Sequence, residues 1–178
     1  MSHVLILGGD GYLGWPTAMH FSAKGYEVTV VDNYFRRHVC NELDVSVLYP
    51  VPTLVERARI WHEKTGYEIK VIIGDLVDPE LMRSLFTGQN LNYQWSINAK
   101  FTGSPETVVH YAEQPSAPYS LMNYKTANFT LSNNLLVTNN LMFAVKDLSP
   151  DTHIIKLGTM GEYGTPNIDI EEGWIDIK

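Results

Sequence analysis

Gly8, Gly11 and Gly14 punctuate the run Gly8-Gly9-Asp10-Gly11-Tyr12-Leu13-Gly14, and Asp32 closes the next apolar stretch. A glycine at a tight turn permits positive φ, one at a helix start lets the backbone approach an anion, and a third allows close helix-strand packing. Free backbone N–H groups and the dipole of the following helix would then face a pyrophosphate. An acid ~20 residues beyond such a loop accepts from ribose hydroxyls, and its charge repels a 2′-phosphate. The spacing is Gly-x-x-Gly-x-x-Gly rather than Gly-x-Gly-x-x-Gly, but the physics is shared, and the pattern predicts a dinucleotide, NAD in preference to NADP.

Other residues offer weaker chemistry. Asp75 follows an apolar run and suits an adenine contact at a sheet edge, or else an Asx-turn leading into Asp78-Pro79. The doublet Arg36-Arg37 fits a cofactor phosphate or ribose edge, or a solvated loop. The six histidines form no i, i+4 pair, so His110 reads as packing, and no metal is expected.

These residues need elements to hold them. Val4–Leu7 is a short apolar run stopped by Gly8-Gly9, as in a strand buried on both faces of a parallel sheet. A helical rhythm follows from Tyr12 to Lys24, ended by Gly25, and then a second strand over Glu27–Val31. After a loop around Arg36 come a helix over Leu54–Thr65, a strand over Ile69–Ile73, and a helix from Pro79 to about Phe86. Val108–His110 is a fourth strand, Tyr124–Asp147 one long helix, and Ile154–Leu157 a fifth strand. Residues 88–104 read as a long surface loop. Strands alternating with helices predict an α/β fold, a Rossmann-like doubly wound parallel sheet with right-handed crossovers, as one domain over 1–178.

Composition narrows the function classes. A formal charge of -7 without any basic run argues against nucleic acid, and no apolar run approaches the ~18 residues of a membrane span. Cys40 is the single cysteine, so no intrachain disulfide or thiolate metal cage can form. Because Met1-Ser2-His3 leads straight into the first strand, no targeting peptide is expected and the default compartment is cytoplasmic.

The glycine spacing, Asp32, Gly74-Asp75-Leu76 and Val108-Val109-His110 together resemble the extended short-chain dehydrogenase/reductase family, whose members mostly rework nucleotide sugars. Two stretches, Glu113-Gln114-Pro115-Ser116-Ala117-Pro118-Tyr119-Ser120 and residues 156–170 beginning Lys156-Leu157-Gly158-Thr159, look like the UDP-sulfoquinovose synthases within it. The likeness covers nearly the whole chain. It implies UDP-glucose and sulfite as substrates and NAD as a recycled cofactor: C4 is oxidised, water leaves C6, sulfite adds to the 5,6-alkene, and C4 is reduced again. It also implies a homo-oligomer for the full-length enzyme.

By the same resemblance Tyr12, Leu13, Asp32, Asn33, Arg36, Asp75, Leu76 and Asn133 would contact NAD, and Gln114 and Tyr119 would line the sugar pocket. Thr159 would hydrogen-bond the sugar oxygen whose proton moves with the hydride, and Glu162 is a candidate acid or base at C5 and C6. Related sugar dehydratases place Asp-Glu after the Thr, where this chain has Met160-Gly161. The family's Tyr-x-x-x-Lys proton relay is absent from the sequence, so turnover by this chain alone is not expected. The resemblance therefore implies an N-terminal half, stopping before the last strands and the substrate domain, with an insertion of about a dozen residues within 88–104 where loops tolerate length. The other readings are another nucleotide-sugar epimerase or dehydratase, and a naturally short NAD-binding interaction protein without catalysis.

Overall fold

The computed structural model describes residues 2–159 and Gly164. Its strands are β1 (His3–Leu7), β2 (Glu27–Asp32), β3 (Lys70–Ile73), β4 (Thr107–His110) and β5 (His153–Lys156). Its helices are α1 (Gly14–Ala23), α2 (Phe35–Glu42), α3 (Leu54–Thr65), α4 (Pro79–Thr87), α5 (Ala117–Ser120) and α6 (Tyr124–Leu148). The strands form one parallel sheet in the order β3-β2-β1-β4-β5. The chain reverses direction across the sheet between β1 and β4, the place where ligands of open α/β sheets gather.

The sheet is covered on both faces, and β1 shows why. Val4 and Ile6 point into a core with Trp15 and Ala18 of α1 and Leu54 and Ala58 of α3. Leu5 and Leu7 point into the opposite core with Met82 and Leu85 of α4 and Val137, Leu141 and Val145 of α6. A side-chain period of two thus splits the apolar run Val4–Leu7 between two layers. The helices that the sequence announces are well signalled: Thr53 and Glu56 form a reciprocal capping box on α3, Asp78 caps α4 with Pro79 behind it, and Gly66 and Gly88 end those helices in left-handed conformations.

Two elements depart from expectation. The loop around Arg36 contains α2, and Ala117–Ser120 forms the short α5, both unannounced by an apolar rhythm. Residues 88–104 are mostly irregular, as expected, but part of the segment pairs with the sheet: Val71 N–H donates to Trp95 O at 2.9 Å and Gln94 N–H to Val71 O at 2.8 Å, antiparallel to β3. The backbone of edge strand β3 is thereby partly covered. The segment also reaches the amino ends of three strands, through Gly103 O on His3, Thr102 on Glu27, and Lys100 O on Lys70. Those ends lie opposite the carboxyl ends of the strands, where the candidate site is found. On the other side β5 is the edge strand among the described residues, and Ile155 and Leu157 are exposed there.

Candidate functional site

A cavity of about 700 Å³ opens at the carboxyl end of the sheet, over β1, β2 and β4. Its floor is the glycine loop. Gly8 has φ +90°, and a Cβ there would stand 2.8 Å from the Tyr111 carbonyl carbon. A Cβ on Gly14 would stand 2.0 Å from Gly8 O, so the start of α1 lies against the loop at a distance only glycine permits. Leu13 occupies the N-cap position of α1, no side chain caps the helix there, and no acid occupies its first turn. Leu13 and Gly14, both lining the cavity, thus stand at the positive end of the α1 dipole, which fits a pyrophosphate.

The expected residues converge on this cavity. Gly8, Gly11, Tyr12, Leu13 and Gly14 form its base, Asp32, Asn33 and Arg36 one wall, and Asp75 and Leu76 another. Gln114, Tyr119 and Asn133 close the far side. Leu157 and Gly158 reach the rim directly before Thr159, whereas Glu162 lies outside the described residues.

Most of these side chains are already held in place. Asp32 accepts from Asp10 N–H at 2.8 Å and from Tyr34 N–H at 2.7 Å. Burial pushes its carboxyl above the usual aspartate range, against the pull of those two N–H donors. Asn33 accepts from Phe35 N–H at 2.9 Å, and Asp75 from Val77 N–H at 3.0 Å, so Asp75 makes the Asx-turn and lines the cavity at once. Gln114 is buried; its amide donates to Ser116 O and Thr130 Oγ1 and accepts from Ser116 N–H. Asn133 donates to Asn134 Oδ1 at 3.0 Å, and Asn134 in turn holds the Gln114 backbone at both N–H and O. This amide network ties the loop after β4 to α6.

The basic doublet separates. Arg36 lines the cavity, while Arg37 turns away to Asp10 at 2.7 and 2.8 Å. Tyr34, between Asp32 and the doublet, has φ 58°, an uncommon backbone for a bulky residue; its N–H is held by Asp32, and its hydroxyl accepts from Leu54 N–H at 3.0 Å.

Several participants carry no sequence signal. Phe35 stacks on Phe129 at 4.1 Å and meets Tyr119 edge-on at 5.8 Å, an aromatic bridge from α2 to α5 and α6 beside the cavity. Val39 and Leu43 extend the apolar wall. Glu113 lines the cavity and pairs with Lys156 at 2.7 Å, joining the segment after β4 to the end of β5. Asp10 stands within the motif itself, yet its partners Arg37 and Arg57 come from α2 and α3. Among the described residues no group of three His, Cys, Asp or Glu is placed to hold a metal ion, and no helix is long and apolar enough to cross a membrane.

A parallel sheet with this switch point, a glycine loop at a helix start and an acid at the end of β2 define a Rossmann-like fold of the dinucleotide-binding type. The profile of the NAD dependent epimerase/dehydratase family matches residues 4–174, and the chain belongs to that family.

Among its relatives, the chain is 44% identical over 174 residues to the chloroplastic UDP-sulfoquinovose synthase of Spinacia oleracea, covering 98% of this chain and 33% of that one. It is 36% identical over 169 residues to the UDP-sulfoquinovose synthase of Sulfolobus acidocaldarius, covering 95% of this chain and 39% of the relative. The chain thus spans a third to two fifths of the length of these relatives. Among solved structures, UDP-glucose 4-epimerase from Bifidobacterium longum in complex with NAD+ and UDP superposes with a TM-score of 0.65 at 26% identity, over 94% of this chain and 40% of that one.

Proposed function

We propose that this chain is the NAD-binding part of a UDP-sulfoquinovose synthase, which converts UDP-glucose and sulfite to the C6-sulfonated sugar nucleotide. The observation that carries this reading is the convergence of the glycine loop, Asp32, Asp75, Asn133, Gln114 and Tyr119 on one cavity. NAD, when bound, supplies the acceptor and later the donor of the C4 hydride. The backbone of Gly8, Gly11 and Gly14 receives the pyrophosphate, with Tyr12 and Leu13 at the helix start. Asp32 accepts from the ribose hydroxyls, and Asn33, Arg36, Asp75 and Leu76 frame the adenosine end. Asn133 presents its amide to the cofactor, and Gln114 and Tyr119 border the sugar. Thr159 hydrogen-bonds the C4 oxygen, and Glu162 moves protons at C5 and C6.

A homo-oligomer is part of the proposal. The outer side of α6 exposes Leu131, Leu135, Met142 and Phe143, an apolar stripe suited to a second copy. A cytoplasmic, reducing compartment suits the free Cys40.

Calorimetric titration with NAD+ tests the cofactor, and Gly14→Ala, which drives a Cβ onto Gly8 O, should abolish binding. Failure of the unaltered chain to bind NAD+ would sink the reading. A single-turnover assay for NADH with UDP-glucose tests the chemistry. Without a Tyr-x-x-x-Lys pair little NADH should form, and clear absorbance growth would show that another group takes the hydroxyl proton. Sulfite-dependent product from a longer chain separates a synthase from an epimerase.

A further inference from the structure

Arg36 lines the cavity wall, and two further guanidinium groups, Arg37 in the first turn of α2 and Arg57 in α3, close on Asp10, which lines the cavity and bonds Asp32. Guanidinium forks match phosphate oxygens in pairs, so this concentration of arginine is what a ribose 2′-phosphate would require. Two of the three are engaged elsewhere. The Asp10 carboxylate, only 9% exposed, accepts from Arg37 Nε at 2.7 Å and Nη2 at 2.8 Å, and from Arg57 Nη2. Arg37 spends its other contacts on Val51 O at 3.2 Å and Pro52 O at 2.8 Å, and Arg57 lies over the Trp15 ring at 4.8 Å. Asp10 N–H also donates to Asp32 Oδ2 at 2.8 Å, so the pinned arginines and the ribose acceptor meet at one residue.

We propose that Asp10 determines cofactor specificity: by holding Arg37 and Arg57 in a cluster whose two positive charges are balanced by Asp10 and the neighbouring Asp32, it disarms a ready-made 2′-phosphate subsite, so that the cavity takes the dinucleotide with an unmodified ribose. Asp32 repels the phosphate directly, and Asp10 removes the cations that would offset that repulsion. Neutralising Asp10 leaves one uncompensated positive charge at the cavity wall, where a phosphate dianion gains more than the free ribose does. The inference rests on the NAD reading above.

The test measures dissociation constants of NAD+ and NADP+ for the full chain and for Asp10→Asn, with circular dichroism as the check on folding. Binding of NADP+ should tighten about tenfold or more, that of NAD+ should change by less than about threefold, and Asp10→Asn with Arg37→Gln should restore the original preference. A folded Asp10→Asn chain that binds NADP+ no better than before overturns the inference. An unaltered chain that already prefers NADP+ also overturns it. Independently of how Asp10→Asn folds, Arg37→Gln alone should leave weak NADP+ binding unchanged, because that guanidinium is already occupied; a further loss of NADP+ affinity would overturn the proposal. Binding of neither dinucleotide overturns the NAD reading itself, a result distinct from NAD+ binding with unaltered preference.

Discussion

At the floor of the cavity, His110 is 1% exposed and its ring is satisfied on both sides. Nδ1 accepts from Ala112 N–H at 3.2 Å, which leaves the proton on Nε2 to donate to Thr138 Oγ1 at 3.3 Å. Burial pushes the imidazole from its ordinary 6.5 down to about 4. A base with a depressed folded-state pKa stabilises the fold above its unfolded value and loses that contribution as pH falls through the folded one. Between pH 6.5 and 4, His110 should therefore cost about 3 kcal/mol of stability. Urea melts at pH 7.5 and 4.5 check this: the drop should be smaller in His110→Gln, and an equal drop would place the acid sensitivity in other groups.

Among the elements, residues 96–98 answer to a single carboxylate. Glu68 Oε1 accepts from Ser96 Oγ at 2.6 Å, Ile97 N–H at 2.6 Å and Asn98 N–H at 3.1 Å, just beside the Val71–Trp95 pairing. Removing an acceptor shared by three donors should release the segment without touching the cavity at the other end of the strands. In Glu68→Ala, amide exchange over residues 94–98 should speed by at least tenfold while NAD+ affinity stays within about twofold. Altered NAD+ binding would mean that the insertion reaches the site through the sheet. The paired stretch also masks part of the β3 edge, so the same variant should self-associate more readily on light scattering.

At the scale of the whole molecule, a cofactor that binds only the folded chain adds to its stability by mass action. At a concentration one hundred times its dissociation constant, NAD+ contributes about 2.7 kcal/mol. For a chain of this size that corresponds to a rise in Tm of roughly 5–10 °C. Differential scanning fluorimetry should show this shift with NAD+ and a smaller one with equimolar NADP+. Equal shifts would contradict the roles given to Asp32 and Asp10.

What the sequence by itself determined was the set of requirements that are local along the chain. The glycine loop was legible because a Cβ at Gly14 is forbidden by Gly8, six residues away, and because β1 is apolar on both faces. Helices α3 and α4 were legible through caps and terminating glycines that lie within each element. Helix α2 was not, since its N-cap Tyr34 supplies no capping side chain and its residues Phe35–Glu42 bury no apolar stripe; α5, with four residues, is too short to show a period. Family resemblance marked residues that line the cavity, but only the tertiary structure brought Asp10 to Arg57 across 47 positions and folded Gln114, Asn133 and Asn134 into one amide network. Hydrogen bonds and ion pairs act over a few ångströms of space and leave no periodic trace in the chain, so their pairing is decided by the sheet that brings the segments together.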